Sequence, residues 1–341
     1  MSDLGFGKVF SEHMVTMRYE GGAWRRAELV PYGPLSLDPA STALHYGQAI
    51  FEGFKAYSQP DGGIATFRPE ANARRFQASA RRLAMAEVPV DRFLASADAL
   101  IRQDRGWVPR EHGQSLYLRP LLIGVDPWLG VKPSSSYLFV LLASPSGAYF
   151  AKGMRPVSVW ISDDYVRASP GGTGAAKCAG NYAASLVAQA QAAQKGCDQV
   201  VWLDAVHRRF VEELGGMNIF FVLSNAGRAT LVTPELTGTL LPGVTRDSLL
   251  VLGREQGLEV EERLFSVEEL GEGLANGRIT EVFACGTAAV ITPVGSIQSR
   301  RGAWAVGGGE PGPVASRLRD ALLAIQHGTA PDPHGWMHRV C

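Results

Sequence analysis

The chain has 341 residues, 46% of them hydrophobic and 19% charged, with 33 Lys+Arg set against 33 Asp+Glu. That length suits two domains better than one, and the composition is that of a globular chain able to bury large cores. Zero net charge leaves no field to draw nucleic acid or an anionic membrane, and the longest apolar runs, such as YLFVLLA at 137–143, are far too short to cross a bilayer.

The N-terminus, MSDLGFGKVFSEH, lacks the charged-then-apolar pattern of a secretory signal. Cys178, Cys197, Cys285 and Cys341 fall at wide, irregular spacings, which argues against a disulfide framework and for a reducing cytoplasm. In chain order, FKAYSQPDGGIATF reads as a hairpin, with Gln59–Gly63 supplying the turn dihedrals. A helix follows from Pro69, with Phe76, Ala80 and Leu83 at helical spacing. Residues 116–123 and 137–142 read as strands, and SPSGAYFAKGMRP after them reads as an interdomain linker.

The second half alternates short strands with helices. Residues 182–194 read as one helix with Asn181 as N-cap, Lys195 in its last turn and Gly196 as its stop. Strands are expected at 199–204, 210–214 and 218–223, and helices at 246–252 and 313–326. No repeat or low-complexity segment interrupts the pattern.

Six of the 33 basic residues are lysines, and Lys177 stands in GGTGAAKCAGNY among glycines and alanines. Neither the phosphate-loop pattern nor G-x-G-x-x-G is satisfied there. A lysine without a neighbouring carboxylate and partly desolvated is a better amine nucleophile, and the aldehyde enzymes use most is pyridoxal phosphate. That cofactor asks for an anion site for its phosphate, a carboxylate for its pyridine nitrogen and packing for its ring. The turns Leu241–Arg246 and Cys285–Ala288 suit the phosphate, with Arg68 as a bidentate contact, and Glu212 or Glu213 suits the nitrogen. Strand alternation is expected to send those two acids to opposite faces.

Together these motifs make the chain resemble the branched-chain amino acid aminotransferases, in the fold-type-IV group of pyridoxal 5'-phosphate enzymes. The resemblance runs through FGKVFSEHM, ALHYGQAIFEGFKAY, FRPEANARRF, SLYLRPLLIG, GAYF, GGTGAAKCAGNYAASL, EELGGMNIFF, TLLPGVTRDSLL and FACGTAAVITPVG. It implies an α+β fold with a smaller N-terminal α/β domain over 1–145, a linker over 146–154 and a larger C-terminal domain over 155–341. The cofactor is then expected in the cleft between them, in a homodimer at least. The implied reaction moves the amino group of leucine, isoleucine or valine to 2-oxoglutarate and back, giving branched-chain 2-oxo acids and glutamate.

Residue by residue, Lys177 matches the lysine that forms the internal aldimine and shuttles the proton between the substrate's α-carbon and the cofactor's C4′. Tyr182 matches the partner of the cofactor's phenolic oxygen, and Glu213 the acid on the pyridine nitrogen. Arg68, Val244, Thr245 and Thr287 match the phosphate ligands, and Thr287 with Ala288 the turn that receives the α-carboxylate. Phe51, Tyr117 and Tyr149 match the aromatic pocket, Tyr46 a residue contributed by the partner subunit, and Arg119 the group that receives glutamate's distal carboxylate. Ala289 and Thr292 stand where some animal members carry a Cys-x-x-Cys pair, so no thiol switch is expected. Gly216 stands where some relatives have threonine.

Two other enzymes of this fold, a D-amino acid aminotransferase and an aminodeoxychorismate lyase, fit less well because the Tyr-x-Arg unit and GAYF are present. The tail spacing His334, His338, Cys341 would seat two or three metal ligands, but no Cys-x-x-Cys precedes it and no metal is assigned.

Overall fold

The computed structural model describes residues 5–111, 113–147, 155–225 and 227–341. The chain divides into two compact units. One is Met1–Ala151 with Ala176–Gly180 and Leu323–Cys341, and the other is Lys152–Ala175 with Asn181–Leu322. The division departs from a single cut in two places: the segment carrying Lys177 and the C-terminal tail both group with the first unit.

The first unit opens with β1 (His13–Glu20), β2 (Ala23–Trp24), β3 (Glu28–Pro31), α1 (Thr42–Tyr46) and β4 (Ala49–Phe51). The expected hairpin follows as β5 (Phe54–Ser58) and β6 (Ile64–Phe67), closed by Gln59 N donating to Gly63 O at 2.9 Å. Then come α2 (Pro69–Arg82), α3 (Val90–Gln103), β7 (Ser115–Gly124) and β8 (Tyr137–Ser146). Most of the expected linker, residues 148–154, lies outside the described residues, and so does Tyr149.

The second unit contains β9 (Val157–Ile161), α4 (Ala179–Ala183, which the chain enters from the first unit), α5 (Leu186–Gln194), β10 (Gln199–Leu203), β11 (Val211–Leu214), β12 (Met217–Asn225) and β13 (Arg228–Thr233). It continues through α6 (Val244–Glu255), β14 (Glu259–Glu262), α7 (Val267–Ala275), β15 (Ile279–Gly286), β16 (Val290–Ser299), β17 (Gly302–Ala305) and α8 (Pro313–Gln326), whose residues from Leu323 on group with the first unit. The tail strand β18 (Met337–Arg339) belongs to the first unit.

The first sheet runs β18-β6-β5-β7-β8-β1-β2, with β3 on β1 and β4 on β7. One face is apolar and buried under α2 and α3. Phe76, Ala80, Phe93, Leu100 and Ile101 on the helices meet Leu116, Leu118, Phe139 and Leu141 on the strands. Each of the Phe, Leu and Ile side chains contributes roughly 1.5–3 kcal/mol by leaving water. The period of two along β7 sends Leu116 and Leu118 to that core and therefore turns Tyr117 and Arg119 to the opposite face.

The second sheet runs β11-β10-β9-β16-β15-β12-β13-β14, and an additional pairing joins β11 back to β12. Six strands (β9, β10, β11, β12, β15 and β16) thus form a closed ring around Val159, Val201, Leu214, Ile219, Phe221, Ala284 and Ile297. Closure removes free edges and holds register firmly.

The helix expected over 182–194 is two helices, α4 and α5, broken at 184–185. Asn181 lies inside α4 and is not a cap. Its Nδ2 donates to Thr173 O at 2.8 Å and its Oδ1 accepts from Thr173 Oγ1 at 2.6 Å. The side chain is committed to the glycine-rich segment and cannot serve the helix end. Lys195 does end α5, and Gly196 follows it at φ 73°.

Candidate active site

In the first unit, the 176–180 segment is laid against β4 and α2. Phe51 N donates to Lys177 O at 3.0 Å, Lys177 N donates to Ser79 Oγ at 2.9 Å, and Ile50 bridges to Cys178. The main chain of Lys177 is therefore held on both sides, while its Nζ lies 5.1 Å from the centroid of the Phe51 ring. Phe51 also faces Arg119, whose guanidinium carbon is 4.9 Å from the same ring and 5.3 Å from that of Tyr117.

Tyr117 and Arg119 form one wall. Arg119 Nη2 donates to Tyr117 Oη at 3.1 Å, and Phe6 packs edge-on against Tyr117 at 4.8 Å. A Cβ on Gly53 would fall 1.8 Å from Tyr117 Oη, so glycine is required there for the ring to come so close. Arg119 Nε is buried with no hydrogen-bond partner among the described residues. A buried donor left unpaired costs about 1–3 kcal/mol, and an anion placed beside it recovers that. Lys55 lies directly across the ladder from Tyr117, on the same face, and burial lowers its ammonium from 10.5 to about 7.

The α2 helix braces this wall from below. Glu52, fully buried, accepts from Arg75 Nε at 2.6 Å, Arg75 Nη2 at 2.9 Å and Gly53 N at 2.8 Å. Arg68 stands at the start of α2 with φ 47° and ψ 46°, a left-handed conformation uncommon for a residue with a Cβ. Tyr46, at the end of α1, is exposed and donates its hydroxyl to Leu129 O.

In the second unit, one rung of the strand ring aligns Trp202, Glu213, Asn218 and Cys285. Glu213 is buried. Its Oε2 is 2.7 Å from Arg167 Nε, its Oε1 accepts from Leu241 N at 2.7 Å, and Asn218 Nδ2 lies 3.5 Å away. Asn218 Nδ2 also donates to Leu241 O at 3.0 Å. A Cβ on Gly243 would sit 2.0 Å from Asn218 Oδ1, so the glycine lets the turn before α6 close onto the acid. Helix α6 begins at Val244, two residues earlier than the sequence suggests, with Gly243 as N-cap. Val244 and Thr245 thus carry first-turn amides that have no intrahelical acceptor and carry the positive end of the helix dipole.

The second turn, Thr287–Ala289, links β15 to β16 as a hairpin in which Gly286 pairs with Val290. Val290 has φ 63°, a strained value for a β-branched residue that costs of order 1–3 kcal/mol. The strain falls at the end of the turn that the resemblance leads one to expect at the α-carboxylate. Tyr182 packs on Gly216, where an added Cβ would come within 3.2 Å of its ring, so the glycine and the tyrosine position are coupled.

Simple alternation does not separate Glu212 from Glu213. The β10–β11 register shifts between Trp202 and Leu203, leaving Glu212 as an extra residue in a bulge. The two acids part by their partners instead. Glu212 accepts from Thr239 Oγ1, and burial raises its carboxyl above the usual range, while Glu213 takes the guanidinium and the Leu241 amide.

Arg167 and Asn218 were not among the residues singled out from sequence. Arg167 gives no motif signal, because two of its partners, Glu213 and Thr239 O, come from distant segments and the third, Gly174 O, is a backbone carbonyl. Asn218 had a signal in GGMN, since it follows Glu213 across a two-residue turn at matching register.

A model of the family described as amino-transferase class IV matches residues 49–297. A protein of Streptomyces coelicolor, "Probable branched-chain-amino-acid aminotransferase", is 59% identical over all of this chain and 93% of its own length. A Mycolicibacterium smegmatis protein, "Branched-chain-amino-acid aminotransferase", is 58% identical over all of this chain and 93% of its own. The crystal structure of an Escherichia coli branched-chain amino acid aminotransferase is similar at TM-score 0.81 and 30% identity, covering 97% of this chain and all of that one. The chain belongs to the class IV aminotransferases and, within them, to the branched-chain amino acid aminotransferase family.

Proposed function

We propose that the chain transfers the amino group of leucine, isoleucine or valine to 2-oxoglutarate, and back, with pyridoxal 5'-phosphate as the carrier. The observation that carries the substrate reading is the wall of Phe51, Tyr117 and Arg119. Aromatic faces suit a branched aliphatic side chain, and the Nε of Arg119, buried and without a hydrogen-bond partner among the described residues, suits the distal carboxylate of glutamate in the same space. The cofactor reading is supported by a buried acid and a helix N-terminus tied together through Asn218 and Leu241.

When bound, pyridoxal phosphate supplies an aldehyde for the amine and a conjugated ring that spreads the charge left when the substrate's α-carbon loses its proton. The remaining chemistry falls to the chain. Lys177 is the nucleophilic amine, and its Nζ carries the proton between the α-carbon and C4′. Its main chain is pinned at Ser79 and Phe51, which leaves the side chain as the part that moves. Glu213 accepts from the pyridine nitrogen and keeps it protonated, while Arg167 stabilises the charged form of Glu213. Tyr182 donates to the phenolic oxygen. Arg68, Val244, Thr245 and Thr287 hold the phosphate, and the Thr287–Ala288 backbone takes the α-carboxylate.

The resemblance assigns Tyr149, which lies outside the described residues, to the aromatic pocket, and Tyr46 to the neighbouring site of a homodimer. Exposed Leu44, Tyr46, Trp128, Leu129 and Val131 support that association. No helix among the described residues is long and apolar enough to cross a membrane. The four cysteines are free, which supports a cytoplasmic enzyme.

The test is covalent. Borohydride reduction of the purified enzyme followed by digestion should leave the pyridoxyl group on the peptide containing Lys177. Lys177→Arg should fold and lose transamination, because a guanidinium forms no imine. A label on Lys55 or another lysine would move the site, and no label at all would remove the cofactor reading.

A further inference from the structure

We propose that the C-terminal tail is a strap whose Trp336 positions Arg68 for the cofactor's phosphate. This rests on the reading of Arg68 as a phosphate ligand and adds a residue that does not itself touch the phosphate. Arg68 follows the last residue of β6, and its left-handed backbone is fixed from both sides. Its N–H donates to Trp336 O at 2.7 Å, and its carbonyl accepts from Asn72 Nδ2 at 2.9 Å. The Arg68 guanidinium carbon lies 5.2 Å from the centroid of the Trp336 ring, within reach of a cation–π attraction. His334 stacks on the indole at 4.3 Å and 27°, and Phe67 meets it edge-on at 5.6 Å.

The rest of the tail is anchored so that Trp336 has little freedom. β18 pairs antiparallel with β6, placing Met337 opposite Phe67 and Arg339 opposite Ala65. Arg102 donates twice to Val340 O, at 3.0 and 2.8 Å, and Cys341 O accepts from Ile64 N at 2.9 Å. His338 Nε2 is 3.1 Å from Asp98, and Met337 N donates to Asp332 Oδ2 at 2.8 Å. The His-x3-His-x2-Cys spacing of the tail is thereby accounted for: one histidine stacks on the indole, the other pairs with Asp98, and Cys341 adds a backbone bond to β6. An arginine in a strained backbone conformation needs its surroundings to over-determine it, and the tail supplies the peptide oxygen and the ring that do so.

The test separates phosphate from the rest of the cofactor. Apoenzyme is titrated with pyridoxal 5'-phosphate and with pyridoxal, which lacks the phosphate, in the wild type, Arg68→Met, Trp336→Leu, Trp336→Phe and the Arg68→Met/Trp336→Leu double variant. Trp336→Leu should weaken the phosphorylated cofactor roughly tenfold and leave pyridoxal unchanged, and Trp336→Phe should restore most of the loss. In the Arg68→Met background Trp336→Leu should add little, because the two act as one unit. Equal weakening of both cofactors by Trp336→Leu, or losses that multiply in the double variant, would show a tail that only supports the fold. If Arg68→Met itself left the phosphorylated cofactor unaffected while Lys177 still carried the label, the assignment of Arg68 would fall and the strap's role with it.

Discussion

The acid rung of the second unit and the aromatic wall of the first handle charge in opposite ways. Glu213 is set among donors the fold provides, Arg167 Nε and Leu241 N, on a strand held in a closed ring. Arg119 is held by two ring faces and one hydroxyl, and its Nε is buried without a protein acceptor among the described residues. One region has its charge compensated before any ligand arrives, and the other defers part of that compensation. A ring nitrogen that stays put through the whole reaction calls for a fixed charge. A pocket that must take leucine and then glutamate calls for a donor that is left over when the apolar chain is bound.

The largest effect should come from breaking the fixed side. Glu213→Gln should retain bound cofactor and slow the half-reaction with leucine by about a hundredfold or more, the scale of losing one preorganised electrostatic group. Stopped-flow absorbance of that half-reaction measures it. Glu212→Gln, on the bulge beside it, should leave the same rate nearly unchanged, and the reverse result would exchange the two roles.

Next in size is the deferred side. Arg119→Met should weaken glutamate and 2-oxoglutarate by roughly 1.5–3 kcal/mol, the worth of a hydrogen bond to a charged group, with a much smaller change for leucine. Equal losses for both substrate classes in steady-state kinetics would make Arg119 a packing residue.

A pH effect, at most modest within any one pH unit, sharpens the comparison within the wall itself. Lys55, cross-strand from Tyr117, is lowered by burial from 10.5 to about 7. Between those values the unfolded chain holds a proton that the folded chain has released, so stability rises with pH from about 7 toward 10.5 and is lowest below 7. Lys55→Met removes that dependence. Its melting advantage over the wild type should be greatest near neutrality and shrink as pH rises, by at most about 1.4 kcal/mol per pH unit. A constant difference from pH 7 to 10, followed by thermal denaturation, would show that Lys55 stays charged in the fold.

Much of the site can be found without coordinates because its parts are local. The hairpin at Gln59–Gly63, the start of α2 at Pro69, and the turn before α6 each depend on dihedral preferences of a few adjacent residues. Lys177 stands out because its neighbours are small, whereas Phe51, Tyr117 and Arg119 are named by the family resemblance, and the period of two along β7 then puts Tyr117 and Arg119 on one face. Boundaries are less legible: α6 starts two residues early, and 182–194 breaks at 184–185, where Ser185 N and Oγ both turn back onto Tyr182 O and Asn181 is committed to Thr173.

What local pattern could not determine is everything that rests on register and distant closure. The choice between Glu212 and Glu213 turns on a bulge opposite Trp202, and on Arg167 arriving from a loop before the glycine-rich segment. The left-handed Arg68 depends on a carbonyl from residue 336, and the grouping of Lys177 with the first unit depends on bonds to Phe51 and Ser79. The sequence by itself pointed to the chemistry, because the candidate amine and the anion turns are marked by residue type and short spacing, and the candidate acid and aromatic wall by motifs that resemble a known family. The tertiary structure decided which acid is paired, which donor is left over and what holds the arginine, because hydrogen bonds between distant segments obey geometry that no short stretch encodes.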